Sequence, residues 1–159
     1  MDTITRRTAS DAIEMLESDH ERMKELLAEY HAAKGDRKIE IAEKLFEEIE
    51  LHAKVAKEVL YPVVGNRSRF EGRRLVRAAL REQTEMMDLI VSLQELATKN
   101  GKFTAGMKKV EEAIARHIDA EEEDMLPLAE RLLDEDTETV GARMLDLRLQ
   151  LAGAGSPLG

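Results

Sequence analysis

Apolar residues recur three and four places apart along almost the whole of this 159-residue chain, and no other feature constrains its fold as strongly. Such spacing gives a helix one oily face, which must be buried against another element. Four long stretches carry it. The first, from Ser10 to Ala33, aligns Ile13, Leu16, Met23 and Leu27, and Gly35 with Asp36 punctuates its end. The second, Arg37 to Tyr61, aligns Leu45, Ile49 and Val59, with Pro62 expected to close it because proline lacks an amide donor. After a polar loop, GNRSR, the third runs from Glu71 to Thr98 and aligns Ala79, Met86, Ile90 and Leu93, with Asn100 and Gly101 ending it. The fourth is expected to start from an N-cap at Thr104, to align Met107, Val110, Ile114 and Leu128, and to kink or end at Pro127. Residues 128–133 and 139–151 read as a short fifth helical segment, and GAGSPLG as a frayed tail. The expected architecture is all-α: an antiparallel up-down four-helix bundle over residues 1–133, then a short C-terminal helical segment and flexible tail over 134–159.

Composition narrows the function. A formal charge of −9 argues against a nucleic-acid partner, since phosphate binding rests on clustered cations. The local exception, Arg67, Arg69, Arg73, Arg74 and Arg77, reads as a solvated helix face. With no cysteine, disulfides and thiolate metal sites are excluded. The opening MDTITRRTASDA lacks the apolar core of a signal peptide, and no apolar run is long enough for a bilayer, so a soluble cytoplasmic protein without a membrane partner is expected.

Polar residues interrupt the oily stripes at a few places. Of four histidines, His20, His52 and His117 fall in register with core-facing neighbours, as do Glu121 and Gln83. A dry core makes an unpartnered polar group costly, so these residues must meet one another or a ligand. His117 and Glu121, four apart, face the same way, and His52 and Glu121 both lie near the proline ends of their helices. One such histidine is best read as a core residue bonded to a carbonyl. Three histidines and a glutamate from three helices instead describe how bundles build metal sites. Imidazole with carboxylate and no thiolate suits iron, zinc or manganese. His31, eleven residues past His20, lies about 16 Å further along the helix and belongs to its end. Met86 and Met87 read as core filling.

The two halves of the chain also resemble each other. DHERMKELL from Asp19 pairs with EQTEMMDLI from Glu82 at an offset of 63, and LHAKVAKEVLYP from Leu51 pairs with RHIDAEEEDMLP from Arg116 at an offset of 65. A helix hairpin used twice defines six inward positions: 20, 52 and 56, then 83, 117 and 121. Ala56 stands opposite Glu121, and Gln83 opposite His20.

Asp-His in the first helix, H-x-x-x-A ahead of V-L-Y-P in the second, Glu-Gln in the third and H-x-x-x-E-E ahead of proline in the fourth resemble the hemerythrin-like (HHE cation-binding) family over residues 10–133. The resemblance implies a four-helix bundle holding two non-heme irons bridged by carboxylates and oxygen, used for oxygen binding, oxygen or iron sensing, or handling of peroxide or nitric oxide. It assigns His20, His52, His117 and Glu121 to ligand positions, with Glu122 as a substitute for Glu121. Ala56 stands where the family has a bridging glutamate, and Gln83 where it has a histidine. The expected site is therefore an incomplete di-iron or mononuclear one in a metal- and small-ligand-binding protein rather than a dedicated enzyme, its partner a diatomic or peroxide. The alternative is a metal-free bundle, degenerate or engineered, acting as a structural or interaction module. Lys57, one place off the stripe, is expected to turn outward. A ferritin-type carboxylate oxidase would need inward carboxylates on all four helices, and only Glu121 is inward.

Overall fold

The computed structural model describes residues 11–96 and 101–155 and contains no strand among them. The expected helix start at Ser10, helix end at Thr98 and Asn100, and last residues of the tail lie outside the described residues. Helix α1 spans Ala12–Ala32, capped by Asp11, whose carboxylate accepts the amides of Ile13 and Glu14 at 2.9 and 3.2 Å. Gly35, at φ 61°, turns the chain into α2, Asp36–Val55. Helix α4 spans Glu71–Leu96 and α5 Gly101–Ala120. Thr104 therefore sits inside the first turn of α5 and does not cap it.

Neither proline ends its helix. Past Val55 the chain makes a π-helical turn, Ala56–Leu60, and continues as α3, Tyr61–Arg67. The second half repeats the device: a π-turn over Glu121–Met125 leads into α6, Leu126–Leu133. Proline in a helix loses a hydrogen bond and crowds the carbonyl four residues back. The wide turn just ahead absorbs both: the Tyr61 amide reaches Ala56 O and the Leu126 amide reaches Glu121 O, five residues back. Gly65, Asn66 and Arg67, expected in a loop, are helical, and only residues 68–70 link α3 to α4.

Helix α1 packs along α2, α4 along α5, and the two hairpins close a four-helix bundle. The fifth segment is longer than expected: after a 3₁₀ turn at Asp134–Asp136, α7 runs over Thr137–Gly155 and packs against α1, α2 and the first π-turn. Its Val140 and Met144 are buried, whereas Leu149 is exposed. Two apolar clusters form the core. One gathers Leu16, Val55, Leu60, Val64, Leu133 and Met144 near the proline ends, the other Leu26, Leu45, Ile90, Met107 and Ile114 at the opposite end. Between them, by position along each helix, lies a layer of His20, His52, Gln83, His117 and Glu121, all buried.

Gly72 marks the tightest helix approach near the α3–α4 link. A Cβ there would lie 2.6 Å from the Val64 carbonyl oxygen and 2.7 Å from Ser68 Cβ. Gly72→Ala should destabilise the protein by about 1–3 kcal/mol in denaturant melts, as overpacking does. Gly101→Ala, with open space around it, should cost nothing.

Candidate metal centre

The polar layer converges on one atom. Glu121 Oε1 lies 2.8 Å from His20 Nε2, 3.0 Å from His52 Nε2 and 3.3 Å from His117 Nε2. His52 and His117 bring their Nε2 atoms within 3.1 Å of each other. One donor atom from each of the four residues falls within 4.8 Å of all the others. Donors sharing one ion at about 2.1 Å stand roughly 3.0–3.4 Å apart, the range spanned by the His52–His117 contact and by the Glu121 contacts to His52 and His117. Inward positions of both hairpins, 20 and 52 from the first and 117 and 121 from the second, share one focus.

Two of the imidazoles are also hydrogen-bonded from behind, and the third faces a carboxylate there. His52 Nδ1 donates to Asp19 Oδ2 at 2.7 Å, and His20 Nδ1 donates to Glu122 Oε2 at 2.7 Å. His117 Nδ1 faces Glu82 Oε1 at 3.8 Å. A carboxylate on the outer nitrogen fixes ring orientation and turns the other nitrogen's lone pair inward, the arrangement by which metal-ligating histidines are held. Glu122 thus sits behind His20, away from the focus, while Glu121 points into it.

The second oxygen of Glu121 is committed elsewhere: the buried Tyr61 hydroxyl donates to Oε2 at 2.8 Å. Ala56 is buried and brings no donor. Gln83 is buried, and its Nε2 has no hydrogen-bond partner among the described residues. Lys57 points outward, and His31 is exposed, paired with Glu111 at 3.0 Å, so both stay clear of the focus as expected.

Asp19, Glu82 and Tyr61 entered the sequence reading only as parts of motifs and were given no role, although the repeat contains the signal for the first two. They are equivalent at the offset of 63, and each backs the histidine of its own hairpin. A cavity of about 170 Å³ between α4 and α5 reaches His117 and Glu121 past Ala78, Ala79 and Ala120.

The chain matches the Hemerythrin HHE cation binding domain over residues 11–129. The fold and the buried cluster define a bundle with a cation-binding core, and the chain belongs to the hemerythrin HHE cation-binding domain family. Its His₃Glu cluster can coordinate a metal ion and is smaller than the di-iron set the family resemblance implied. Neither the curated proteins nor the solved structures gave a significant match. Among the described residues no helix is long and apolar enough to cross a membrane.

Without a metal, protons must bridge these groups. Burial pushes the His52 imidazole down from its ordinary 6.5, but the Glu121 charge and the bonds to Asp19 and Glu121 outweigh it and lift the pKa to about 10. Burial likewise opposes ionisation of Glu121, yet His52 and His117 hold its carboxyl well below the usual 4.5. A raised histidine pKa stabilises the fold fully below the unfolded value and loses that contribution as pH climbs through the folded value. A depressed carboxyl pKa contributes above its unfolded value and loses that as pH falls. Chelator-treated protein should therefore melt highest between pH 4.5 and 6.5, with Tm falling as pH rises towards about 10. His52→Gln should flatten that alkaline limb. Metal uptake displaces the same protons, so metal affinity should rise over the range where metal-free stability falls.

Proposed function

We propose that the chain is a hemerythrin-like protein that holds one non-heme iron through His20, His52, His117 and Glu121 and binds a small oxygen- or nitrogen-containing ligand. The observation that carries this reading is the aim of three Nε2 atoms at one carboxylate oxygen, with a carboxylate behind each ring. Apolar packing alone does not need three imidazoles oriented in this way. Nitrogen and oxygen donors without sulfur also accommodate zinc or manganese, and iron is preferred here on the resemblance of the four helix motifs to the hemerythrin-like family. A second ion lacks donors: Ala56 supplies none, and the Tyr61 hydroxyl occupies Glu121 Oε2.

Bound at such a set, ferrous iron with free coordination positions supplies reversible binding of dioxygen or nitric oxide, or reaction with peroxide. The chain's own residues hold and orient the imidazoles, exclude bulk water and keep a phenol proton close by. Burial and the neighbouring Glu121 charge push Tyr61 well above its ordinary value, so its hydroxyl stays a donor. The cavity beside His117 and Glu121, lined by Arg74 as well as by Glu82 and Asp124, gives a small molecule a way in.

Elemental analysis of protein from iron-supplemented cells should give about one iron per chain. Two irons with an oxo-to-iron absorption band would overturn the single-ion reading. Metal at background with the fold intact would instead favour a metal-free interaction module. Ala56→Glu combined with Gln83→His, which restores both missing donors of the repeat, should raise uptake towards two.

A further inference from the structure

The two hairpins contain equivalent acid–histidine pairs, and the difference between them points outside the bundle. In the second hairpin, Glu82 stands 3.8 Å from His117 Nδ1 with its side chain 36% exposed. In the first, Asp19 stands 2.7 Å from His52 Nδ1 with its side chain 7% exposed. Arg148, from α7, covers the acid of the first hairpin. Its Nη2 donates to both Asp19 oxygens at 2.6 Å, and its Nη1 lies 3.6 Å from Glu48 Oε2. Among the described residues Glu82 has no arginine partner.

We propose that Arg148 is a positioning residue for the metal centre, acting through Asp19 to fix the His52 imidazole with Nε2 directed at the focus. A guanidinium presents its donors in a rigid fork, so it can hold a carboxylate in one orientation while spanning to a second acid. Here the fork ties α7 to Asp19 on α1 and Glu48 on α2. It also compensates two acids that would otherwise be crowded together in a poorly solvated spot: burial and Asp19 raise the Glu48 pKa, and Arg148 opposes them. Asp19 is left free to spend its remaining acceptor capacity on His52. Arg148 lies beyond residues 11–129, so it is not part of the family pattern. The C-terminal helix is in this reading part of the centre's support, not an appendage.

The inference rests on the metal-centre reading, and two measurements separate them. In the first, cobalt(II) affinity is measured by chelator competition on the full chain. Arg148→Gln should weaken binding about 10–100-fold, the usual cost of losing an outer-shell partner. Asp19→Asn should weaken it comparably, and the double variant should be no weaker than Asp19→Asn alone, as expected of two residues acting in series. In the second, the metal-free protein is observed by NMR. The His52 Nδ1 proton should be slow to exchange in the wild type and lost to exchange in Arg148→Gln. Arg148→Lys, which keeps the charge without the fork, should show a smaller loss in the same direction, and it keeps the test decisive if Arg148→Gln does not fold. Wild-type affinity together with an unchanged Nδ1 proton, whatever the change in Tm, would overturn the proposal. So would additive losses in the double variant. A wild type that binds no cobalt counts against the metal-centre reading, and the proton measurement then decides this one alone.

Discussion

A carboxylate placed in the middle of a helical core is a strong demand on everything around it, because an isolated buried charge costs far more than the few kilocalories by which a domain is stable. Glu121 is such a group, and the polar layer can be understood as the means of meeting it. One oxygen takes three imidazoles and the other takes a phenol. Those imidazoles are themselves polar and buried, so each needs an outer partner, and Asp19, Glu122 and Glu82 follow. Asp19 then needs Arg148. The charge alternates outward from the centre until it reaches solvent. Removing one member leaves its neighbour exposed to the full desolvation cost, which is why networks of this kind are coupled rather than additive.

The layer also divides the hydrophobic core. Apolar clusters above and below it anchor the helices on both sides, so the imidazoles are presented from a backbone that is held at either end. Rigid elements position ligands more closely than loops can, and every residue of the quartet sits on a helix or on the π-turn that extends one. The open side of the centre is lined by Ala78, Ala79 and Ala120, whose small side chains leave room beside His117.

Much of this was legible in the amino-acid order. Helices were readable because an oily face at helical spacing has one economical solution, and the quartet was readable because histidine and glutamate on that face need an explanation. What escaped lay just off the stripe or beyond local pattern. Asp19 and Glu82 each precede an inward position by one residue, and a surface acid there looks like any other. Tyr61 passed for a helix-end aromatic beside Pro62. Arg148 meets Asp19 across 129 positions of sequence, and such a contact depends on how α7 is laid down on the bundle. The C-terminal helix was legible as an element but not in its bounds, Thr137–Gly155 against 139–151, because a run of leucines does not reveal how far a helix continues past them.

The π-turns have a consequence for how the stripes themselves are read. One extra residue in a helical turn rotates everything after it by about 100° about the axis. Val59 and Leu128, on the inward rows of the preceding helices, stay buried, and the change of face shows only beyond them. There Val64 is fully buried while Val63 is only partly so, and in the second half Leu133 is buried where Leu132 is not. Each long helix is thus two reading frames joined at the ligand position. The frame ahead of the join aims His52 and His117, and the frame behind it brings Tyr61 round to meet the carboxylate of the opposite hairpin. Relative insertion or loss of a single residue between histidine and proline would therefore rewrite which side chains see the interior, without changing the helix content at all.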